Sequence, residues 1–315
     1  MAVNGSSYPL QVSSSTSSSL SSATRAGARV AFVTCAELLD LDPDDQLARD
    51  ALVAGGQPVD ALAWDDRTAD WGRYELVVLR SPWDYPARHA KFVAWAAAVP
   101  NLANPAAVVA WNTDKRYLGQ LADAGVPVVP TDWIPPGGTL SNGSGSVVVK
   151  PSVGAGSIDT GRYDLTDPAQ RTLAEELLGR VHASGRVAMV QPYLDAVDTY
   201  GETALVYLDG GYSHAIRKGP MLSGPDEGTG GLYKLEEVRS REPLDAERAL
   251  AEQVLDALPF DRETLLYARV DVVPGSTGEP VLLELELTEP SLFLATAPGA
   301  ADRLAIAIER RVQRP

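Results

Sequence analysis

Thiol and imidazole chemistry are almost missing from this chain. Cys35 is its only cysteine, and His89, His182 and His214 are its only histidines. A lone cysteine allows no internal disulfide framework and no cysteine-rich zinc site, and scattered histidines make a poor imidazole metal site. That usage fits a reducing compartment, the cytoplasm. Positive charge is scarce as well, with 27 Lys and Arg against 42 Asp and Glu, a net charge of −15. Nucleic acid and anionic membranes both require clustered Lys and Arg, so neither is an expected partner. No apolar run reaches the roughly 18 residues of a membrane span. Residues 6–24 are mostly Ser and Thr, too polar to bury surface that would offset their ordering entropy. Residues 1–28 therefore read as a disordered tail. They lack the basic and then apolar stretches of a secretory signal.

What remains is a chain of ordinary globular composition, 45% apolar and 22% charged over 315 residues, long enough for two or three domains. Residues 29–35, 59–64 and 75–79 read as apolar strands. A helix starting near Pro43 and stopping at Gly55-Gly56, and another over Ala87 to Val99, alternate with them. That alternation predicts a parallel α/β domain over residues 29–112. A helix is expected from Thr113, as N-cap, to Gly125. Together with the strand before Lys150, a helix over residues 167–182 and a strand at 187–190, it predicts a small α+β unit within 113–190. After Gln191 the pattern turns antiparallel, with Glu202 to Tyr207 and Tyr212 to Ile216 flanking Asp209-Gly-Gly. Residues 191–315 form the third expected domain, completed by helices over 243–258 and 299–312. Gly219 to Gly231 holds five glycines and two prolines and reads as a long flexible loop.

Four places carry chemistry. In Val147-Val-Val-Lys-Pro-Ser-Val-Gly-Ala-Gly-Ser157 a strand ends on Lys150, followed by a loop in which Gly154 and Gly156 let backbone N–H groups approach a ligand. An ammonium beside such amides suits a polyphosphate, although a solvated lysine at a strand exit explains the same residues. The lysine precedes the glycines, so this is neither a P-loop nor a dinucleotide fingerprint. Arg217-Lys218 closes a strand and suits either an anion clamp or a solubilising pair. Arg80, Ser81, Asp84 and Tyr85 follow the third strand, where open α/β sheets bind ligands. They could grip a zwitterionic amino acid or simply form a polar loop. The fourth place is a hairpin. Leu266, Ala268, Val270 and Val272 alternate with Tyr267, Arg269 and Asp271, and Leu283, Leu285 and Leu287 alternate with Glu284, Glu286 and Thr288. Folding about residue 277 sets Asp271 beside Glu284 and Arg269 beside Glu286 on one face, unless a bulge slips the register. Three carboxylates so close need hard cations, and Mg²⁺ takes such ligands together with substrate phosphates. The competing reading is a solvated face with cross-strand Arg–Glu pairs.

Lys115, Val-Val-Lys150 with its glycine loop, Gln191-x-Tyr-Leu194, Asp271 and Glu284-x-Glu286, in this order, resemble the ATP-grasp superfamily. The glutathione synthetase-like carboxylate–amine ligases are the most similar branch. A narrower similarity, to the O-ureido-serine cyclo-ligases of cycloserine biosynthesis, rests on Lys150 to Tyr163, His214 to Pro220 and Glu284-Leu-Glu-Leu-Thr-Glu-Pro290. The resemblance implies an ATP-grasp fold with an N-terminal α/β domain, a lid and a C-terminal antiparallel sheet. It also implies that Lys115 and Lys150 contact ATP phosphates beneath a lid loop of Ser152, Gly154, Ala155, Gly156 and Ser157. Gln191, Tyr193 and Leu194 would line the adenine, and Glu202 would hold the ribose. Asp271, Glu284 and Glu286 would bind two Mg²⁺, or Mn²⁺. Arg217, Lys218 and Arg269 would serve catalysis at the transferred phosphate. An ATP-dependent ligase of a small amino-acid-like substrate follows, expected as a homodimer. Intermolecular dipeptide-type ligation and a non-catalytic ATP-binding module remain as alternatives. Two departures stand out: Glu286 occupies the position where relatives usually carry Asn, and Ala204 the position where they often carry Arg.

Overall fold

The computed structural model describes residues 30–228, 231–234 and 237–313. The Ser-rich tail at 1–28 and part of the 219–231 loop lie outside the described residues. Strand β1 (Val30–Thr34) is wholly buried, as an apolar run in a parallel sheet should be. Helix α1 (Pro43–Ala54) is capped by Asp42, whose side chain accepts from the Asp44 N–H. It ends at Gly55-Gly56, with Gly56 left-handed at φ 87°. Strands β2 (Val59–Ala63) and β3 (Leu76–Ser81), helix α2 (His89–Ala98) and strand β4 (Leu102–Ala103) complete a parallel sheet of order β2-β1-β3-β4.

The helix expected from Thr113 to Gly125 is α4 (Tyr117–Asp123), which starts four residues later, and a separate short helix α3 (Ala106–Asn112) precedes it. Thr113 closes α3 rather than opening α4, its hydroxyl donating to the Val109 carbonyl. The break has a local cause, because Asp114 accepts from the Arg116 N–H in a turn and the Lys115 N–H is drawn to the Ser152 carbonyl. Helix α4 also packs in the core of the C-terminal sheet, in a cluster that takes in Met189. The lid itself is an antiparallel sheet of order β5-β8-β6-β7, formed by β5 (Asp132–Ile134), β6 (Ser146–Pro151), β7 (Gly161–Asp164) and β8 (Ala188–Pro192). Helix α5 (Pro168–Ala183) covers one of its faces.

After the short α6 (Ala196–Thr199), β9 (Glu202–Leu208) and β10 (Gly211–Lys218) form a hairpin whose turn residues Asp209 and Gly210 both have positive φ. Strand β11 (Val238–Arg241), helix α7 (Asp245–Asp256), β12 (Tyr267–Pro274), β13 (Pro280–Glu286) and α8 (Ala300–Gln313) follow. The sheet order is β11-β10-β9-β12-β13, all antiparallel. Asp271 pairs with Glu284 and Arg269 with Glu286, the register that alternation predicts. The bulge lies one step further on, between Asp271 and Val272, and leaves the carboxylates in place. Among the described residues, no helix is long and apolar enough to cross a membrane.

Buried amides stitch the N-terminal domain to this sheet. The Asn104 side chain donates to the carbonyls of Tyr267 (2.9 Å) and Leu287 (2.6 Å) and accepts from the Leu266 N–H (2.7 Å). Asn112 bridges the Leu285 carbonyl and the Leu287 N–H in the same way. Asn104→Ala would strand three buried backbone groups, and it is expected to lower unfolding free energy by about 3 kcal/mol in denaturant titration. A loss under roughly 0.5 kcal/mol would show that water replaces the amide at this seam.

Candidate functional site

The N-terminal domain, the lid and the C-terminal sheet enclose a cavity of about 690 Å³. Alternation along β6 turns Val148 and Lys150 to this cavity and buries Val149 in the lid core. Beyond Lys150, Gly154 gives its carbonyl to the Lys115 ammonium at 2.8 Å. Gly156 has φ 62°, and a Cβ there would fall 2.2 Å from the Leu232 carbonyl oxygen. Its glycine is thus required by the passing 231–234 segment, whose Lys234 N–H donates to the Gly156 carbonyl. Val148, Leu194, Val197, Leu222 and Leu283 give one end an apolar slot, beside which the Gln191 amide is held by the Thr131 hydroxyl. That combination suits a flat heteroaromatic ring.

The other end is densely charged. Lys115 pairs with Glu284 at 3.1 Å, and Lys150 lies 3.9 Å from the same carboxylate. Lys218 pairs with Glu202 and Asp271, both at 3.0 Å. Arg269 grips both Asp271 oxygens, at 2.9 and 3.0 Å, pairs with Glu286 and donates to the Ser291 carbonyl. These partners set the ionisation of the site. Burial works against the charged form of Glu284, but Lys115, Lys150 and Lys218 outweigh it and hold the acid at about 2. Burial raises Glu286 to about 8, with Glu284 and Asp271 adding to the effect and Arg269 opposing it. For Asp271, burial is outweighed by Arg269 and Lys218, and its pKa falls below the usual carboxylate value. Burial draws the Lys150 ammonium down from its usual value, against the pull of Glu284.

Most of the residues expected at the site line the cavity: Tyr85, Lys115, Lys150, Gly154, Ala155, Gly156, Ser157, Gln191, Tyr193, Leu194, Glu202, Lys218, Arg269, Glu284 and Glu286. Ser152 and Asp271 are buried directly behind its wall. Four do not belong to it. Arg80 is buried in an ion pair with Asp45 at 2.8 Å and donates to the Pro290 carbonyl, so it locks α1 to β3 instead of facing a ligand. The Ser81 hydroxyl is spent on Thr34, and Asp84 accepts from Trp64 and pairs with Arg88. The Arg217 guanidinium holds the Tyr200 and Thr199 carbonyls, leaving Lys218 alone as the cation from β10 at the cavity. Sequence reasoning also missed wall residues, notably Asp44 and Glu289. Asp44 reads as an ordinary acid in a helix's first turn, yet its Oδ2 is buried without a hydrogen-bond partner among the described residues. Burial raises its pKa to about 6 despite Arg80.

Among the described residues no three His, Cys, Asp or Glu converge as a ready metal cluster, because each site carboxylate is drawn to a lysine or arginine. The donor set nevertheless fits a hard divalent ion. All its ligating atoms are carboxylate oxygens, the donors a hard divalent ion takes, and Glu284, Glu286 and Asp271 share one face of the β12–β13 hairpin. Glu284, Glu286 and Asp271 would hold such an ion, Asp271 after release by Lys218.

The comparisons with known proteins agree with this geometry. The family described as D-cycloserine synthetase DcsG, N-terminal domain, matches residues 30–107. The cycloserine biosynthesis protein DcsG of Streptomyces lavendulae is 39% identical over 303 residues, spanning 90% of this chain and 99% of that protein. The crystal structure of D-cycloserine synthetase DcsG superposes with a TM-score of 0.79 at 36% identity, over 90% of this chain and 99% of that one. The ATP-grasp ligase PsnB, solved with a minimal precursor, Mg and ADP, shares the fold at a TM-score of 0.56 and 16% identity, over 91% and 99% of the chains. The ATP-grasp architecture expected from the sequence is therefore the observed one.

Glu286 as a metal ligand would have a measurable consequence. Burial raises its acid above the usual carboxylate value, against the Arg269 ion pair, whereas a metal ligand must be ionised. Mg²⁺ binding to the ADP complex is expected to release protons near neutral pH, and fewer as the pH rises. Calorimetry in buffers of different ionisation heat reads this directly. Glu286→Gln should remove the release, and proton-neutral binding by the parent protein would refute the assignment.

Proposed function

The chain belongs to the DcsG family of ATP-grasp ligases, and from that premise we propose that it closes O-ureido-serine to cycloserine at the expense of ATP. It is an ATP- and Mg²⁺-dependent ligase, which removes the alternative of a non-catalytic nucleotide-binding module. The observation that supports ring closure best is that one cavity is lined by the apolar slot residues, by Lys115, Lys150 and Lys218, and by Asp44, Tyr85 and Glu289. A nucleotide and one small amino acid can share such a compartment.

In this reading the substrate carboxylate attacks the γ-phosphorus of ATP, and ADP leaves an acyl phosphate. Lys115, Lys150 and Lys218 neutralise the phosphate oxygens, and Arg269 orients Asp271 and Glu286. Bound Mg²⁺, in two sites and replaceable by Mn²⁺, supplies charge neutralisation between the phosphates. Asp44 holds the substrate ammonium, the cation its buried carboxylate lacks. The nitrogen next to the side-chain oxygen then displaces phosphate from the acyl carbon. The reading includes a cytoplasmic homodimer, carried by the family resemblance and tested by sedimentation equilibrium. Intermolecular ligation on the same scaffold is separated by product mass, since a ring needs no second amino acid.

Lys150→Ala is expected to abolish ADP formation while leaving circular dichroism unchanged. ADP production at the parent rate would refute the phosphate role. Asp44→Asn should raise the amino-acid KM by about tenfold or more at saturating ATP, the cost of a lost charged hydrogen bond. Asp84→Ala, at a carboxylate already taken by Trp64 and Arg88, should leave that KM as it is. The reverse order of effects would return the ammonium site to the loop after β3.

A further inference from the structure

The ring-closing nitrogen of an O-substituted hydroxyurea shares its lone pair with a carbonyl group. It attacks well only as its proton departs, so the second half-reaction needs a base within reach of the acyl carbon. Most acids on the cavity wall are already committed. Glu202 and Glu284 are held by lysines, Glu286 by Arg269, and Asp42 caps α1 while accepting from Tyr233. Glu289 is different. It lies three residues beyond Glu286 on the segment leaving β13, and among the described residues it forms no ion pair with a lysine or arginine. Its backbone carbonyl is fixed by the Trp83 indole N–H at 3.1 Å, and its side chain shares the cavity wall with buried Tyr85. The side chain thus lines the same cavity as Lys115 and as Tyr85 of the N-terminal domain.

We propose that Glu289, oriented by Tyr85, is the general base that removes the proton from the nitrogen closing the ring. The inference rests on the ring-closure reading above. The nitrogen forms a bond to the acyl carbon, its proton passes to a Glu289 oxygen, and the carbon–oxygen bond to phosphate breaks with the electron pair leaving on phosphate. The carbamoyl group stays on the ring nitrogen in this step, and its later hydrolysis by water is separate. Burial raises Glu289 to about 7, against the Tyr85 hydroxyl, Lys115 and Arg269 and with Glu284, which suits proton transfer near neutrality. Tyr85 acts as a positioning residue, since burial and the surrounding acids hold its own hydroxyl far from ionisation.

Hydroxylamine tests the assignment because it attacks an acyl phosphate without a base. With O-ureido-serine, ATP and Mg²⁺, the parent enzyme should yield cyclic product, and hydroxamate when hydroxylamine is added. Glu289→Gln is expected to lower cyclic product at least about 100-fold while hydroxamate stays within about threefold, with Glu289→Asp recovering part of the loss. Tyr85→Phe should reduce ring formation more than hydroxamate. Cyclisation by Glu289→Gln at the parent rate would overturn the proposal. So would equal loss of ring and hydroxamate in a variant whose unfolding transition matches the parent's. If the parent enzyme itself forms hydroxamate but no ring, the function reading fails, and the base role fails with it. That result appears before any substitution is made, so the two failures are distinguishable.

Discussion

Asp271 is a carboxylate with almost no exposure, and the site is arranged around keeping it ionised. An isolated buried carboxylate costs several kcal/mol, and removing one partner of such a pair costs roughly 3–5 kcal/mol. Arg269, two residues earlier on β12, reaches back to both its oxygens, and Lys218 arrives from the end of β10 across β9. Each cation is then shared outward. Arg269 continues to Glu286 and the Ser291 carbonyl, and Lys218 to Glu202. Glu202, Glu286 and the Ser291 segment therefore take their positions from one carboxylate. Its geometry is fixed by strand register, which has no soft adjustment short of a bulge.

That dependence explains what could be read from the amino acids and what could not. The hairpin was legible because period-two alternation and a turn-rich connection are local properties, and they determine which side chains share a face. The glycine loop after Lys150 was legible for the same reason, although Gly156 answers to the crossing of residues 232 and 233 as much as to a ligand. Arg80 shows the limit. An arginine at the end of a parallel strand is a fair candidate for a ligand contact, but its partner Asp45 lies 35 residues away and on another element. Thr113 failed in a related way. Its cap-like composition is real, yet the pull of Ser152 on the Lys115 N–H breaks the helix there and brings Lys115 to the cavity. Asp44 and Glu289 carried no local signal, because a missing counter-ion is a property of the folded surroundings.

Described residues between β10 and β11 bridge the lid and the N-terminal domain. Asp226 among them is nearly buried, pairs with Arg180 of α5 and Lys234, and donates its N–H to the Tyr163 hydroxyl. Gly161 is needed beneath it, since a Cβ there would lie 2.6 Å from the Asp226 nitrogen. On the opposite side Tyr233 meets Trp83 edge-on at 5.0 Å and donates to Asp42. One loop thus clasps the lid with one end and the N-terminal domain with the other, over a cavity whose lysines need a dry environment to be effective. Water exclusion matters more for a ligase than for a kinase, because an acyl phosphate hydrolyses if water reaches it first.

The two departures from the wider superfamily fit together in this light. Ala204 stands directly opposite Asp271 in the β9–β12 register, so a long cation at position 204 would compete with Arg269 and Lys218 for the same oxygens. An alanine leaves that space to residues on the neighbouring strands. Glu286 then adds a carboxylate where an amide would have been neutral, and Arg269 meets it directly. The consequence is a site in which each of these carboxylates meets a lysine or an arginine. Were Glu286 and Asp271 to hold a metal, both would have to be ionised and Asp271 would give up Lys218, whose ammonium could then turn to a phosphate, coupling the metal position to the phosphate clamp.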